Sequence, residues 1–434
     1  MTEYSSKSNQ RETKSLRENR NFVKLLIGRL VTNAGDSLYT IAGTWLVYDL
    51  TGSSFYTGIA GALLLLPPAL QFISGPLVDR WSITRTLTLT QLMQAILILF
   101  IPLAAYTDNL TVEIVLLLIP VLSLLNQFVY PAQNAALPRI VVKDKLTQAN
   151  SAFSFANKGT DMIFRALGGV LIAAIGAASL FVLNSVTFVI AALFFIGVNV
   201  PSADNSGEEP GSINPSEYFS DLREGIACLR GTVFAEMMSI TALTNLAVGV
   251  TIAVLPAFAA IRGGPALYGA LLGAVGGGTL IGALISSRLE HVGYGRIRII
   301  GFGLGFLLWI GAVYSSEPLL SVALFTLAWI PPGVTNVMGQ TLMQTVTPEE
   351  LLGRVTSVDS SVSTMTLPVG SLLGGAVSSV LGVVTTMGIA ALGFGVASLY
   401  FALRPPLRRL PPMNDINVTD FNIGTRQAST EEPN

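Results

Sequence analysis

Long apolar runs alternate with short polar or charged breaks along this chain. Twelve runs reach or approach the roughly 20 mainly apolar residues that cross a bilayer. They are 22–48, 54–77, 86–106, 112–136, 149–174 and 178–199, then, after a polar stretch, 233–260, 266–288, 297–315, 318–344, 355–381 and 383–403. Each is predicted to be a helix, because a single segment in lipid satisfies its own backbone only that way. Runs beyond 25 residues imply tilt or extension past the lipid. Pro67-Pro68, Pro120, Pro331-Pro332 and Pro368 fall inside runs. Neighbouring helices in a bundle can satisfy the backbone groups that such prolines free.

The breaks carry the orientation. Lys and Arg gather in the N-terminal tail, the 77–86 loop, the 138–148 loop (Arg139, Lys143, Lys145) and the linker (Arg223, Arg230). They recur at Arg288, Arg296, Arg298, Arg354, Arg404, Arg408 and Arg409, whereas the opposite loops carry only Arg262. Alternate loops and both termini are therefore expected on the cytoplasmic side, as an even number of spans requires. The first run is too long for a cleavable signal peptide and is expected to remain as a span.

Composition agrees and narrows the chemistry. Of 434 residues 51% are hydrophobic and 12% charged, about half the charge of a soluble domain. The net charge is −1, so no nucleic-acid partner is expected. One cysteine (Cys228) and one histidine (His291) leave no disulfide, no Cys-based metal site and no Ser/His pair beyond a single base. No cofactor and no enzymatic activity are expected.

The chain also repeats. Gly58 to Arg85 aligns without a gap with Gly269 to Arg296, which places Asp79 on Glu290 and Arg85 on Arg296. A second match sets Val141-x-x-Asp144-x-Leu146 against Val346-x-x-Glu349-x-Leu351. The loop Gly75-x-x-x-Asp79-Arg80-x-x-x-x-Arg85 resembles the loop signature of the major facilitator superfamily of transporters. Tyr130 to Val141 with Leu146 to Ser151, and Gly28-Arg29-Leu30 to Gly35-Asp36 with Trp45 to Ser53, are similar to an exporter branch that includes the enterobactin exporter and macrolide efflux pumps. One departure is Phe164-Arg165, where that branch has Gly-Pro before the Gly168-Gly169 pair.

The resemblance implies an all-α integral membrane protein with twelve transmembrane helices in two six-helix bundles and both termini cytoplasmic. The expected division is a cytoplasmic tail (1–21), an N-terminal bundle (22–200), a linker with a short amphipathic helix (201–232), a C-terminal bundle (233–404) and a largely disordered cytoplasmic tail (405–434). The bundles would rock about a central cavity. Gly75, Asp79, Arg80 and Arg85 would form a cytoplasmic gating loop, with Glu290 and Arg296 as second-half equivalents. Arg354 and the segment 353–357 would receive Asp79 at a positive helix terminus. Glu236 and Asp359, each one turn into a run, are expected at gates or helix interfaces.

Charges inside spans are costly, about 2.5–3.5 kcal/mol each on insertion scales, and mark candidate sites. Arg29, Asn33 and Asp36 are spaced by 4 and 3 and share one helix face. Asp36 lies about 18 Å from the outer end of its helix, near the midplane. Lys158, Asp161 and Arg165 form a second stripe, with Arg165 about 15 Å from its helix end. Asp36 would bind a coupling proton or a cationic substrate, with Arg165 as its partner or as an attractor of anions. The alternative is an ion-pair network that only joins the two helices. Trp45, Tyr39, Phe128, Tyr130 and Trp329 would suit a large amphipathic compound, or simply pack. Gly301-x-Gly303-x-Gly305 lies within an apolar run with no preceding strand, so helix packing explains it better than nucleotide binding.

The expected function is secondary active export of a siderophore or amphipathic drug by alternating access, with protons as partner. The chain would act as a monomer in the cytoplasmic (inner) membrane. Import of a small polar solute, or a non-transporting sensor of the same fold, remain open from the sequence.

Overall fold

The computed structural model describes residues 15–69, 82–201, 223, 226–227, 229, 231–416 and 421. It is helical, with no strand among these residues. The helices are α1 (Arg20–Thr51), α2 (Ser54–Ala69), α3 (Ile83–Ile98), α4 (Phe100–Tyr106), α5 (Val112–Ile140), α6 (Leu146–Ile175) and α7 (Ala177–Ile196). They continue as α8 (Val233–Ala260), α9 (Gly264–Ile285), α10 (Tyr294–Tyr314), α11 (Pro318–Ala328), α12 (Ile330–Val346), α13 (Glu349–Leu381), α14 (Val383–Leu403) and the short α15 (Pro405–Arg408). With α3/α4 and α11/α12 each taken as one, the described residues form twelve helical segments besides the short α15, as the twelve apolar runs predict.

Both breaks sit just before prolines. Pro102 follows the α3/α4 break at Leu99, and Pro331-Pro332 follow the α11/α12 break at Trp329. A proline removes one helical N–H and crowds the carbonyl four residues back. Trp329 N–H instead donates to the Thr326 carbonyl at 3.2 Å, a tighter i−3 bond.

Among the described residues nine spans are long and apolar enough to cross a membrane by composition. α2, described only to Ala69, is short. α1 and α6 are long but fall outside the nine, and they carry the charged stripes.

The chain forms two compact units, Met1–Thr51 with Leu66–Ser212, and Gly52–Leu65 with Ile213–Asn434. Residues 52–65, expected in the first bundle, thus group with the second unit. Thr57 Oγ1 donates to the Ala253 carbonyl at 2.5 Å and Ser371 Oγ to the Gly58 carbonyl at 2.9 Å.

In the first unit Asn19 opens α1: its Oδ1 accepts from Phe22 N–H at 3.1 Å, and its amide donates to the Ile140 carbonyl at 2.7 Å. Phe22, Leu25, Leu87, Val129, Ala132, Phe153 and Phe195 form a core around that end. In the second unit Trp309 centres an aromatic cluster. Phe394 and Phe325 meet it edge-on, with ring centroids 4.9 and 5.3 Å away.

The two units share a turn. α6 and α13 both end on a glycine with a left-handed backbone, Gly176 (φ 81°, ψ 156°) and Gly382 (φ 80°, ψ 161°), and the next helix starts at once. This region of φ/ψ is essentially closed to other residues.

Residues 405–416, expected as the start of a largely disordered tail, are ordered; most of 417–434 lies outside the described residues. Residues 405–416 fold back on α10, with Leu407 and Leu410 buried. Tyr294 N–H donates to the Pro411 carbonyl at 3.1 Å and Met413 N–H to the Glu290 carbonyl at 3.0 Å. The physical reason is local: the first turn of α10 needs acceptors, and two leucines need cover. Gly75, Asp79 and Arg80 and most of the linker lie outside the described residues.

Candidate functional site

Charged and amide side chains of α1, α5 and α6 meet inside the first unit. α1 and α6 run side by side in the same direction, and their polar residues pair in steps of four. Arg29 Nε–H and the Asn33 amide, the latter at 2.7 Å, both donate to Asn157 Oδ1. One turn along, Ser37 Oγ donates to Asp161 Oδ1 at 2.7 Å, and Arg165 Nε–H donates to the same oxygen at 2.6 Å. Four-residue steps on both helices make such a ladder possible.

Asp36 sits beside this ladder. Its Oδ2 accepts from the Asn126 amide of α5 at 2.9 Å. Its Oδ1 is enclosed and has no hydrogen-bond partner among the described residues. The Arg29 guanidinium is buried and lies 5.2 Å from the centre of the Tyr130 ring, which offers its negative face to the cation.

A second polar chain extends to α3. Thr32 Oγ1 donates to Gln91 Oε1 at 3.0 Å, Gln91 to Gln94 Oε1 at 3.0 Å, and Gln94 to the Leu122 carbonyl at 3.3 Å. All three side chains are buried. In an apolar surround such a satisfied chain fixes the neighbouring helices in one register.

The other face of α1 seats α7. A Cβ on Gly35 would lie 2.4 Å from Asn184 Oδ1, and one on Gly28 the same distance from the Phe195 ring. Only glycine allows α7 this close, which fixes the turn of α1 that aims Arg29, Asn33 and Asp36 at α5 and α6.

The structure thus brings Arg29, Asn33, Asp161 and Arg165 into one ladder, with Asp36 alongside. Arg165 pairs with Asp161, not with Asp36. Lys158 is exposed, with no ion pair or hydrogen bond among the described residues; Asn157 occupies the place facing α1. Asn126, Asn157 and Ser37 were not singled out from the sequence. Asn157 could have been found as the residue four before Asp161.

Of the expected gating residues, Gly75, Asp79 and Arg80 lie outside the described residues. Arg85, Glu290 and Arg296 are exposed, and Arg354 and Asp359 are half-buried on α13. Glu236 accepts from Arg404 through Nε at 3.0 Å and through Nη2, and from the Tyr400 hydroxyl at 3.3 Å. That joins the adjacent ends of α8 and α14. No group of three or more His, Cys, Asp or Glu that could hold a metal ion occurs among the described residues.

The family model described as "Transmembrane secretion effector" matches residues 15–425. The chain is similar to the uncharacterized MFS-type transporter YvqJ of Bacillus subtilis, 23% identical over 391 residues, 88% of this chain and 92% of that one. It is equally similar, at 23% over 418 residues, to the multidrug efflux pump Tap of Mycobacterium tuberculosis, covering 93% of this chain and 97% of Tap. Among solved structures, an inward-facing bacterial homologue of the lysosomal transporter Spinster superposes with a TM-score of 0.69 at 13% identity, covering 93% and 98% of the two chains. A bacterial homologue of the iron transporter ferroportin gives 0.65 at 18%, covering 90% and 100%. Twelve helical segments among the described residues, a polar network within the first unit and a family match along nearly the whole chain lead to one assignment: the chain belongs to the transmembrane secretion effector family of the major facilitator superfamily, and is a membrane transporter rather than an enzyme.

Proposed function

We propose that this transporter exports amphipathic small molecules from the cytoplasm in exchange for protons, with Asp36 as the group for which proton and substrate compete. The enclosed, unpartnered Oδ1 of Asp36 carries the reading. An ionised carboxylate in a span is costly unless every lone pair finds a donor. Oδ2 has one in Asn126; Oδ1 is left for a proton or for a donor on a substrate. The charges agree. Arg29 and Arg165 balance Asp36 and Asp161, so protonating Asp36 leaves one positive charge in excess. That excess disfavours a cationic substrate, and proton loss restores its place. Alternating exposure of the site to the two sides then couples inward proton movement to outward substrate movement.

Similarity to multidrug efflux pumps supports export. Amphipathic cations would use Asp36. An anionic chelator such as a siderophore would use the half-buried Arg165, whose side chain stays 34% exposed despite its ion pair. We place the protein, as a monomer, in the cytoplasmic membrane.

The test measures cellular retention of lipophilic cations, macrolides and siderophores, with and without a protonophore, for the wild type and Asp36→Asn. Lower retention of one class, abolished by both the protonophore and the substitution, is expected. Full gradient-driven export by Asp36→Asn would overturn the role of Asp36. Raised accumulation under an outside-acid gradient would reassign the chain to import.

A further inference from the structure

A second site lies in the other unit, at the end of α10. A cavity of about 940 Å³ opens there between the α10 N-terminus and the returning segment 408–412. Arg296, Arg408 and Arg409 line it, together with His291. The three arginines are exposed and pair with no carboxylate among the described residues. No acidic side chain lines the cavity; Glu290, the nearest in sequence, is exposed beside it. The cluster does not cap the helix: arginine carries only donors, and the α10 N-terminus takes its acceptor from the Pro411 carbonyl. Arg298, one turn deeper, is already engaged: it is buried, donates to the Tyr294 hydroxyl at 2.9 and 3.1 Å, and lies against the Phe302 and Phe401 rings. Three arginines at one cavity therefore have no internal use. Arginine forks match phosphate oxygens in planar, two-bond geometry.

The rest of the lining indicates what carries the phosphate. Ile299 and Ile300 form the apolar wall. Ile300 is 61% exposed, and Leu304 and Leu307 continue the same face of α10 at 54% and 62%. From Arg296 to Leu307 is about 16 Å along the helix, half of a hydrocarbon core of about 30 Å. A charged cavity thus leads onto an exposed apolar track one leaflet deep. Free phosphate would use only the first part, and a soluble acidic peptide would leave the track bare. We propose that this cavity binds the phosphodiester headgroup of an anionic phospholipid, with an acyl chain along Ile300, Leu304 and Leu307. Basic pockets beside membrane helices on the cytoplasmic side are suited to such lipids, and this is the side on which the positive-inside rule places Arg296, Arg408 and Arg409.

The test is native mass spectrometry of the full chain purified in detergent, titrated with phosphatidylglycerol or with phosphatidylcholine of the same acyl chains. Phosphatidylglycerol is expected to bind at least about tenfold tighter. Arg408→Gln/Arg409→Gln should weaken it by about fivefold per arginine. Arg288→Gln, an exposed arginine outside the cavity, should change it less than twofold. Thermal unfolding without added lipid serves as the folding control. Inorganic phosphate in large molar excess should not displace the lipid. No preference for phosphatidylglycerol would overturn the proposal, as would an equal loss in Arg288→Gln, which would mean diffuse attraction. Displacement by inorganic phosphate would overturn the phospholipid assignment.

Discussion

Asn157 and Lys158 are neighbours in sequence, and the structure gives them opposite roles. Asn157 Oδ1 is the shared acceptor for Arg29 and Asn33, while Lys158 is exposed and makes no ion pair or hydrogen bond among the described residues. Asn157→Leu keeps the volume and the helix but deletes the acceptor, so a buried guanidinium and a buried amide each lose a bond. Side-chain hydrogen bonds between membrane helices average about 0.6 kcal/mol and reach about 1.7. A bond from a charged donor is worth about 1.5–3 kcal/mol. One of each gives an expected loss of about 2–5 kcal/mol. Lys158→Leu removes an exposed charge and should stay within about 0.5 kcal/mol. The assay is reversible unfolding in mixed micelles with increasing SDS, read as loss of helical circular dichroism. A cycle with Asn33→Ala should be non-additive, because both changes remove the same bond. An equal cost for Lys158→Leu and Asn157→Leu, or a cost below about 0.5 kcal/mol for Asn157→Leu, would refute the ladder.

The same unfolding assay tests two further expectations. Gly176→Ala and Gly382→Ala should each cost about 1–3 kcal/mol from backbone strain alone. Nothing lies within 4 Å of the added Cβ at either position, so a null result would mean the turns relax freely. Leu407→Ala should cost about 2–5 kcal/mol, because that side chain is fully buried under α10. Arg408→Gln next to it should leave stability unchanged, separating the strap that holds the segment down from the cations that face the cavity.

Most of the fold was legible because lipid imposes a strict length and composition. The apolar runs 233–260 and 383–403 coincide with α8 and α14. α13 begins at Glu349, six residues before the apolar run suggests. Its first six residues, Glu-Glu-Leu-Leu-Gly-Arg, mix charge with leucine, and apolarity records the lipid boundary, not the helix boundary. The return of 405–416 onto α10 was hidden for a related reason. Two leucines among prolines and arginines anchor it together with backbone hydrogen bonds, and backbone acceptors carry no sequence signal.

The site was legible on one helix and partly on the other. On α1 Arg29 is buried and Asp36 half-buried on the face that meets α5 and α6, so spacing alone groups Arg29, Asn33 and Asp36. On α6 the conspicuous residue, Lys158, is exposed, and the residue that meets α1 is a neutral amide one position earlier. Charge is easy to see in a span, but it does not reveal which way a helix is turned. Asn126, 90 positions from Asp36, is reachable only through the fold.

This contrast explains why α1 and α6 fall outside the nine plainly apolar spans. Polar groups here occur in complementary pairs on facing helices, so that each removes much of the other's burial cost. A helix carrying half of such a ladder reads as too polar to span when taken alone. Its stability in lipid depends on its partner, and the weakness of its apolar signal is itself the trace of the site. Within the network the enclosed Asp36 Oδ1 has no hydrogen-bond partner among the described residues. A ladder that only joined helices would gain from closing that gap with one more amide. Leaving it open costs stability, and the export reading proposed above gives that cost a use: a proton, or a substrate that displaces it, enters from outside the chain.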